Sequence, residues 1–393
     1  MTRDITSLGQ HARGPARQAG LTLIELMIAI TISLIVLVAL TAMFVSSMRA
    51  RDEVQRANQQ IENGRYAMQV LSDDLQLAGF MGKADLSAPV DLGEDTVLSF
   101  DADEDVLCEP DDLDVLKGQA ALYIEGANNV TALPGGCDDA GNFFDDGETL
   151  SDFKPGTDML VVRRVSSCAA TPAPTTCPAV TGAPYFQVSM CPDDAPDNAV
   201  ADAIQGYKLA IYPSSNANNT FNLHNRATGG GCNTTSFAEI RRFLTHIYFI
   251  ANNHQPGDGI PTLKRAELDL DGGNRKFRVV PIAEGIENLQ LRYGIDDTAP
   301  ENGAPDRYEN AAALYDPADD SVSIGRWQDV VAVSVHLLAR SANPSPGHVD
   351  TKTYVLGDVT IAPTDIPTDE KAYKRHVFET VVRLNNPAGV RQP

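Results

Sequence analysis

Gly20-Leu21-Thr22-Leu23-Ile24-Glu25-Leu26-Met27 opens an unbroken apolar run in which Glu25 is the only ionisable side chain before Arg49. A helix over residues 21–45 measures roughly 37 Å, enough to cross a hydrocarbon core of ~30 Å. The stretch reads as a membrane span, and a carboxylate inside a span is costly unless a charged partner meets it. A cut between Gly20 and Leu21 would make that partner. The new α-amino group of Leu21 would lie one helical turn from Glu25, within one subunit or between two packed side by side.

A secretory signal peptide does not explain this arrangement, because signal peptidase acts after the apolar region, whereas here a polar leader and a glycine precede it. A plain membrane anchor leaves Glu25 without a role. Arg13 and Arg17 ahead of the span favour a cytoplasmic N-terminus, although Arg49 and Arg51 beyond it weaken the asymmetry.

The basic leader, the glycine and Thr22-Leu23-Ile24-Glu25-Leu26-Met27 resemble the processing signal of type IV prepilins and type II secretion pseudopilins. The resemblance implies cleavage after Gly20 by a prepilin peptidase, methylation of the amine of Leu21, and use of Glu25 in docking to neighbouring subunits. Leu21 stands where that family more often has Phe.

The formal charge of the 393-residue chain is −22. A leader carrying Arg3, Arg13 and Arg17 against Asp4 makes the remainder more acidic still. Such a surface repels phosphate backbones, so no nucleic-acid partner is expected. Six cysteines, Cys108, Cys137, Cys168, Cys177, Cys191 and Cys232, all follow the span. An even number in an exported region suggests disulfides; their connectivity stays open, with pairing of neighbours (108–137, 168–177, 191–232) as one choice. The absence of CxxC pairs and histidine clusters argues against zinc.

After the span, small or apolar residues recur at Val54, Ala57, Ile61, Gly64, Met68, Leu71, Leu75 and Ala78, at the alternating 3- and 4-residue spacing of a helix with one buried face. No proline interrupts residues 21–88 and Gly79 is a natural stop, so one rod is expected. The reading gives a leader at 1–20, a transmembrane half-helix at 21–45, an amphipathic half at 46–79 and a β-rich head at 80–393.

Candidate strands are Met159–Val165, Tyr207–Tyr212, His246–Ala251, Lys276–Ile282, Leu289–Tyr293, Asp329–Ala339, Thr353–Val359 and Val377–Leu384. Ala140–Lys154, Cys168–Pro184, Asp193–Asp202 and Asn216–Cys232 read as loops. The fold class expected is α+β, a pilin-like long N-terminal helix on a mainly antiparallel sheet with disulfide-stapled loops. Trp327 is expected to anchor the core against that helix.

Asn63-Gly64-Arg65-Tyr66-Ala67, Leu75 to Phe80 and, above all, Glu284-Gly285-Ile286-Glu287-Asn288-Leu289-Gln290-Leu291-Arg292-Tyr293-Gly294-Ile295-Asp296 resemble the PilW family of minor pilins. Trp327 to Ser341 and His376 to Asn385 resemble its closing strands, and the match divides the head into a variable cysteine-containing region (80–235) and a PilW-like sheet region (236–393). The resemblance implies a non-enzymatic subunit that primes or caps type IV pilus assembly, starting in the inner membrane with a periplasmic head and ending on a surface pilus, near its tip. Its implied partners are prepilin peptidase, other minor pilins, the major pilin and the inner-membrane assembly platform. Alternatives are a type II secretion pseudopilin and a pilus-borne adhesin whose stapled middle region binds a ligand.

No cofactor is required, but two acidic loops invite calcium. Asp101-Ala102-Asp103-Glu104-Asp105 has alternating carboxylates, yet Val106 stands where an EF-hand turn needs glycine. Asp296, Asp297, Asn302 and Asp306 occupy an Asp/Gly-rich loop, a position where the resemblance suggests calcium. The bland reading of both is solubility. Ser151-Asp152-Phe153-Lys154 satisfies an S-x-x-K pattern without its companion motifs, so no catalytic set emerges.

Overall fold

The computed structural model describes residues 20, 22–84, 90, 92, 95–100, 106–134, 136–144, 149–170, 177–191, 194, 206–213 and 220–391. Residues 1–19 of the leader, Leu21 and the acidic segment 101–105 lie outside the described residues. Two compact units are formed, Met1–Gln55 and Arg56–Pro393. Helix α1, Leu23–Leu77, contributes to both. In the first unit its side chains are exposed from Leu23 to Asp52, and by length and composition this part can cross a membrane.

The second unit is built from α1 residues 56–77 and two antiparallel sheets. The strands are β1 (Ile124–Val130), β2 (Thr157–Ala170), β3 (Pro184–Val188), β4 (Tyr207–Ile211), β5 (His224–Arg226), β6 (Cys232–Phe237), β7 (Ile240–Ala251), β8 (Thr262–Asp271), β9 (Asn274–Glu284), β10 (Ile286–Ile295), β11 (Arg307–Glu309), β12 (Val330–Arg340), β13 (Tyr354–Leu356), β14 (Val359–Ile361) and β15 (Arg375–Arg383). The larger sheet runs β1-β2-β7-β3-β4, and β7 also pairs β8, which pairs β9. The smaller runs β11-β10-β12-β15, with β5-β6 and β13-β14 as separate two-stranded ribbons. Short helices α2 (Leu113–Gln119), α3 (Asp320–Gln328) and α4 (Asn385–Val390) complete the unit.

Gly285 is where the chain leaves one sheet for the other. It separates β9 from β10 at φ +78°, and a Cβ there would lie 2.7 Å from the Arg340 carbonyl oxygen. Only glycine satisfies both the left-handed backbone and that approach. Arg340 N–H donates to Gly285 O (2.7 Å) and Gly285 N–H to Pro261 O (2.7 Å), so this one residue ties the end of β12 to the start of β8. A second link is Asp158, whose carboxylate accepts from the amides of Asn129 (2.8 Å) and Leu291 (2.7 Å), joining β1, β2 and β10.

The main core gathers Ala67, Leu71 and Leu75 of α1 with inward residues of both sheets. Trp327 joins it from α3, edge-on to Tyr293 (centroids 4.8 Å) and Tyr315 (5.6 Å). The expected helix stripe is corrected in detail. Val54 and Ile61 are exposed, and the buried residues are Gln60, Gly64, Ala67, Leu71, Asp74 and Leu75. Two polar side chains displace apolar ones because each finds partners on the sheet: Gln60 Nε2 donates to the carbonyls of Ala339 (2.6 Å) and Lys374 (3.1 Å).

Two further expectations change. Thr353–Val359 is not one strand, because Gly357 and Asp358 turn the chain between β13 and β14. Asn216–Cys232 is not loop throughout, since His224–Arg226 forms β5 against β6.

Candidate functional site

The N-terminal site begins with a local hydrogen-bond rule. A helix leaves its first amides without intrahelical acceptors, and Thr-x-x-Glu answers this by reciprocal bonding. Thr22 and Glu25 do so here. Glu25 Oε2 accepts from Thr22 N–H (2.9 Å) and Thr22 Oγ1–H (2.8 Å), while Glu25 N–H lies 3.4 Å from Thr22 Oγ1. The carboxylate is thereby folded back toward the chain that precedes the helix, where Leu21 is joined. The capping role was legible in the T-x-x-E pattern but is absent from a reading that assigns Glu25 to subunit docking alone.

Among the described residues, Gly20 meets no atom within 4 Å of a would-be Cβ. Those residues leave room for a side chain there. A Gly20→Phe variant is expected to fold and insert normally yet retain its leader, visible as an unshifted band on electrophoresis; normal processing would remove Gly20 as the cut site.

Where α1 meets the head, Asp74 is the central polar contact. Its Oδ2 meets His246 Nδ1 (2.6 Å) and accepts from Tyr248 Oη (2.9 Å), and its Oδ1 accepts from Arg164 Nε (2.8 Å). Burial opposes the charge, but the hydrogen bond and charge of His246 together with Arg164 outweigh it, holding the carboxyl well below its ordinary range. Because the folded value is depressed, this contribution is fully present above the unfolded value of about 4 and fades as pH falls below it. Asp74→Asn is expected to be less stable at neutral pH and to lose less on acidification than wild type, in urea titrations at the two pH values.

The acidic loop after β10 spends its carboxylates on its own chain. Asp296 is fully buried and accepts from the amides of Asn302 (3.1 Å) and Gly303 (2.6 Å). Asp306 accepts from the amides of Asp297 (3.1 Å) and Thr298 (3.0 Å), and Asp297 pairs with Arg307. Asn302 Oδ1 accepts from Ala304 N–H at 2.9 Å. Among the described residues, Asp296, Asp297 and Asp306 do not form a convergent group of potential metal ligands, so no calcium is proposed at this loop.

Disulfides join Cys108 to Cys137, Cys168 to Cys177 and Cys191 to Cys232, with Cα separations of 5.0, 6.2 and 4.9 Å. All three are between sequence neighbours. The third fastens the start of β6 to the segment after β3, and Asp194 with His224 sits beside it.

Residues 15–41 match the prokaryotic N-terminal methylation motif, the segment containing Gly20, Thr22 and Glu25. Residues 247–386 match the family described as Type IV Pilus-assembly protein W, which takes in the Gly285 crossing and strands β8 to β15. A comparison with well-characterised sequences gives no match. Among solved structures, a type IV-like pilin from Thermus thermophilus is similar at 14% identity and a TM-score of 0.18, over 37% of this chain and 66% of that one, just under two thirds of its length. Over residues 247–386 the chain is thus similar to the PilW family of type IV pilus-assembly proteins, and residues 15–41 carry a prepilin-type methylation motif.

Proposed function

We propose that this chain is a minor pilin, a structural and non-enzymatic subunit that primes or caps type IV pilus assembly. The observation that carries the reading is the methylation motif at the head of a membrane-length apolar helix, in the same chain as a PilW-family sheet. Before processing, the helix anchors the chain in the inner membrane with its head on the outer side. Prepilin peptidase cuts after Gly20 and exposes the amine of Leu21. Assembly then lifts the helix from lipid into a filament core of apolar helices.

Glu25 serves this transfer through charge. A buried carboxylate opposes packing unless it is paired and hydrogen-bonded. Thr22 supplies hydrogen bonds, and the new amine supplies the opposite charge. The sheet region and three-disulfide head is far larger than helix packing requires, which suits a subunit used a few times at an end better than one repeated along the shaft.

Glu25→Gln separates charge from capping, since its amide oxygen can still accept from Thr22. The expected result is normal cleavage and helix content but failure to enter sheared pili, with Glu25→Ala failing likewise. Incorporation of Glu25→Gln at wild-type levels would overturn the charge argument.

A further inference from the structure

Strand β15 is an outer strand of the smaller sheet, paired on one side with β12. Bonds just beyond its two ends fix which way its backbone points. Leu384 N–H donates to Val331 O (2.9 Å) and Ser341 N–H donates to Lys374 O (2.9 Å), continuing a register in which Ala332 opposes Arg383 and Arg340 opposes Arg375. Opposed residues of an antiparallel ladder alternate between bonded and unbonded pairs. The even-numbered residues of β15 therefore bond to β12, while Val377, Glu379, Val381 and Arg383 turn their N–H and C=O groups outward. Among the described residues, no segment bonds to those outward groups.

The side chains along this edge are complementary to themselves. Glu379 keeps 63% of its exposure and Val381 57%, and Arg383 is exposed as well. Spaced two residues apart, all three project from one face of the sheet. The Glu379 carboxylate lies 3.8 Å from His336 Nδ1, beyond hydrogen-bond reach, and Arg383 donates once, to Ala388 O (3.2 Å), leaving other guanidinium donors for a carboxylate. Two copies of the edge can meet antiparallel about a two-fold axis, and they bond only where odd-numbered residues face odd-numbered ones. Centred on Glu379, the pairing sets carboxylate against carboxylate; centred on Thr380, it sets Glu379 against Val381. A register centred on Val377 needs Arg375, which is buried on Glu287 and Asp350. Centred on Val381, it sets Glu379 against Arg383 twice and Val381 against its own copy. Opposite charges across a strand pair stabilise it and like charges oppose it.

An outer strand of the larger sheet shows what a protected edge looks like. In β9, Pro281 lacks a donor, Phe277 is bridged by Phe143, and Arg275, Lys276 and Arg278 share one sign, the usual devices against edge pairing. β15 has no proline, and its exposed charges are of both signs.

We propose that β15 is a pairing edge for a second copy of this chain, joining the two smaller sheets into one about a two-fold axis at Val381. The ladder from Glu379 to Arg383 is short, so the dimer is reversible and concentration-dependent.

The test uses the full chain in detergent micelles. Sedimentation velocity is expected to show a monomer–dimer equilibrium. Glu379→Arg and Arg383→Glu should each weaken it about tenfold or more, since each turns both attractive pairs repulsive. An equimolar mixture of the two variants should restore it, because every opposed pair again joins an acid to a base. Val381→Cys should cross-link to its own copy under mild oxidation, a bonded-pair Cα separation of about 5.5 Å being within disulfide range, and adding Glu379→Arg should suppress the cross-link. A chain that stays monomeric with no Val381→Cys dimer, a dimer that Glu379→Arg leaves unchanged, or a mixture no tighter than either variant alone would each overturn the assignment. So would Val381→Cys linking in native membranes to a different protein in place of its own copy.

Discussion

Replacing Glu125 by alanine is expected to cost the head about 3–5 kcal/mol, the usual consequence of stranding one charge of a buried pair. Glu125 and Arg163 are both 0% exposed, with Arg163 Nη1 2.6 Å from Glu125 Oε2. The same carboxylate accepts from Ser99 N–H (2.9 Å) and Ser99 Oγ (2.7 Å), and Arg163 donates to the carbonyl of Leu122 (3.0 Å) and to Ser99. Without Glu125, a guanidinium remains deep between β1 and β2 with hydrogen-bond partners and no counter-charge. Single domains are stable by only about 5–15 kcal/mol, so the variant should unfold at much lower urea and accumulate poorly. The cost belongs to the orphaned charge more than to the lost attraction. The double replacement Glu125→Leu, Arg163→Met should therefore recover most of the loss, since apolar side chains of similar volume can replace a buried pair with little penalty. A double variant no better than Glu125→Ala would contradict this account of the pair.

The second large effect is expected at Gly64. A Cβ on this residue would lie 2.2 Å from Cε2 and 2.5 Å from Cζ of Phe378 on β15. Glycine costs a helix interior about 1 kcal/mol relative to alanine, and the chain accepts that cost where α1 runs closest to the smaller sheet. Gly64→Leu should lift residues 56–77 of α1 from β15 and weaken the Gln60 contacts to Ala339 and Lys374 on the same helix face. Overpacking of this kind destabilises by about 1–3 kcal/mol, and more if the Gln60 bonds go with it. Pairing Gly64→Ala with Phe378→Ala tests the cause: the double variant should be more stable than Gly64→Ala alone in urea titration. Equal stability would show that the ring is not the obstacle.

The ends of the story were legible in the residues, while much of its middle was not. Glycine, glutamate and an uninterrupted apolar run require no tertiary context, so the span and Glu25 could be read directly. Strands such as β10 and β12 announced themselves through β-branched and aromatic residues buried on both faces. β8 did not, because Lys264, Arg265, Glu267, Asp269 and Asp271 resemble a helix surface. Its charges are satisfied within the sheet instead: Arg265 binds Glu267 along β8 and Tyr248 Oη on β7, and Asp269 pairs with Arg242 and Arg278 on the flanking strands.

β1 was hidden for another reason. Gly126, Asn128 and Asn129 are poor strand formers, but Gly126 lets Tyr293 approach to where a Cβ would be 1.9 Å from its hydroxyl. The helix stripe erred at Gln60 and Asp74 because amphipathic periodicity counts polarity and cannot see a waiting carbonyl or imidazole.

Cleavage that turns a costly carboxylate into half of an ion pair is the step on which the assembly account rests, and intact mass analysis of the N-terminal peptide from native cells tests it most directly. The account predicts a peptide beginning at Leu21 with a methylated amine. A chain that still carries residues 1–20, or one trimmed beyond the apolar run, would contradict it.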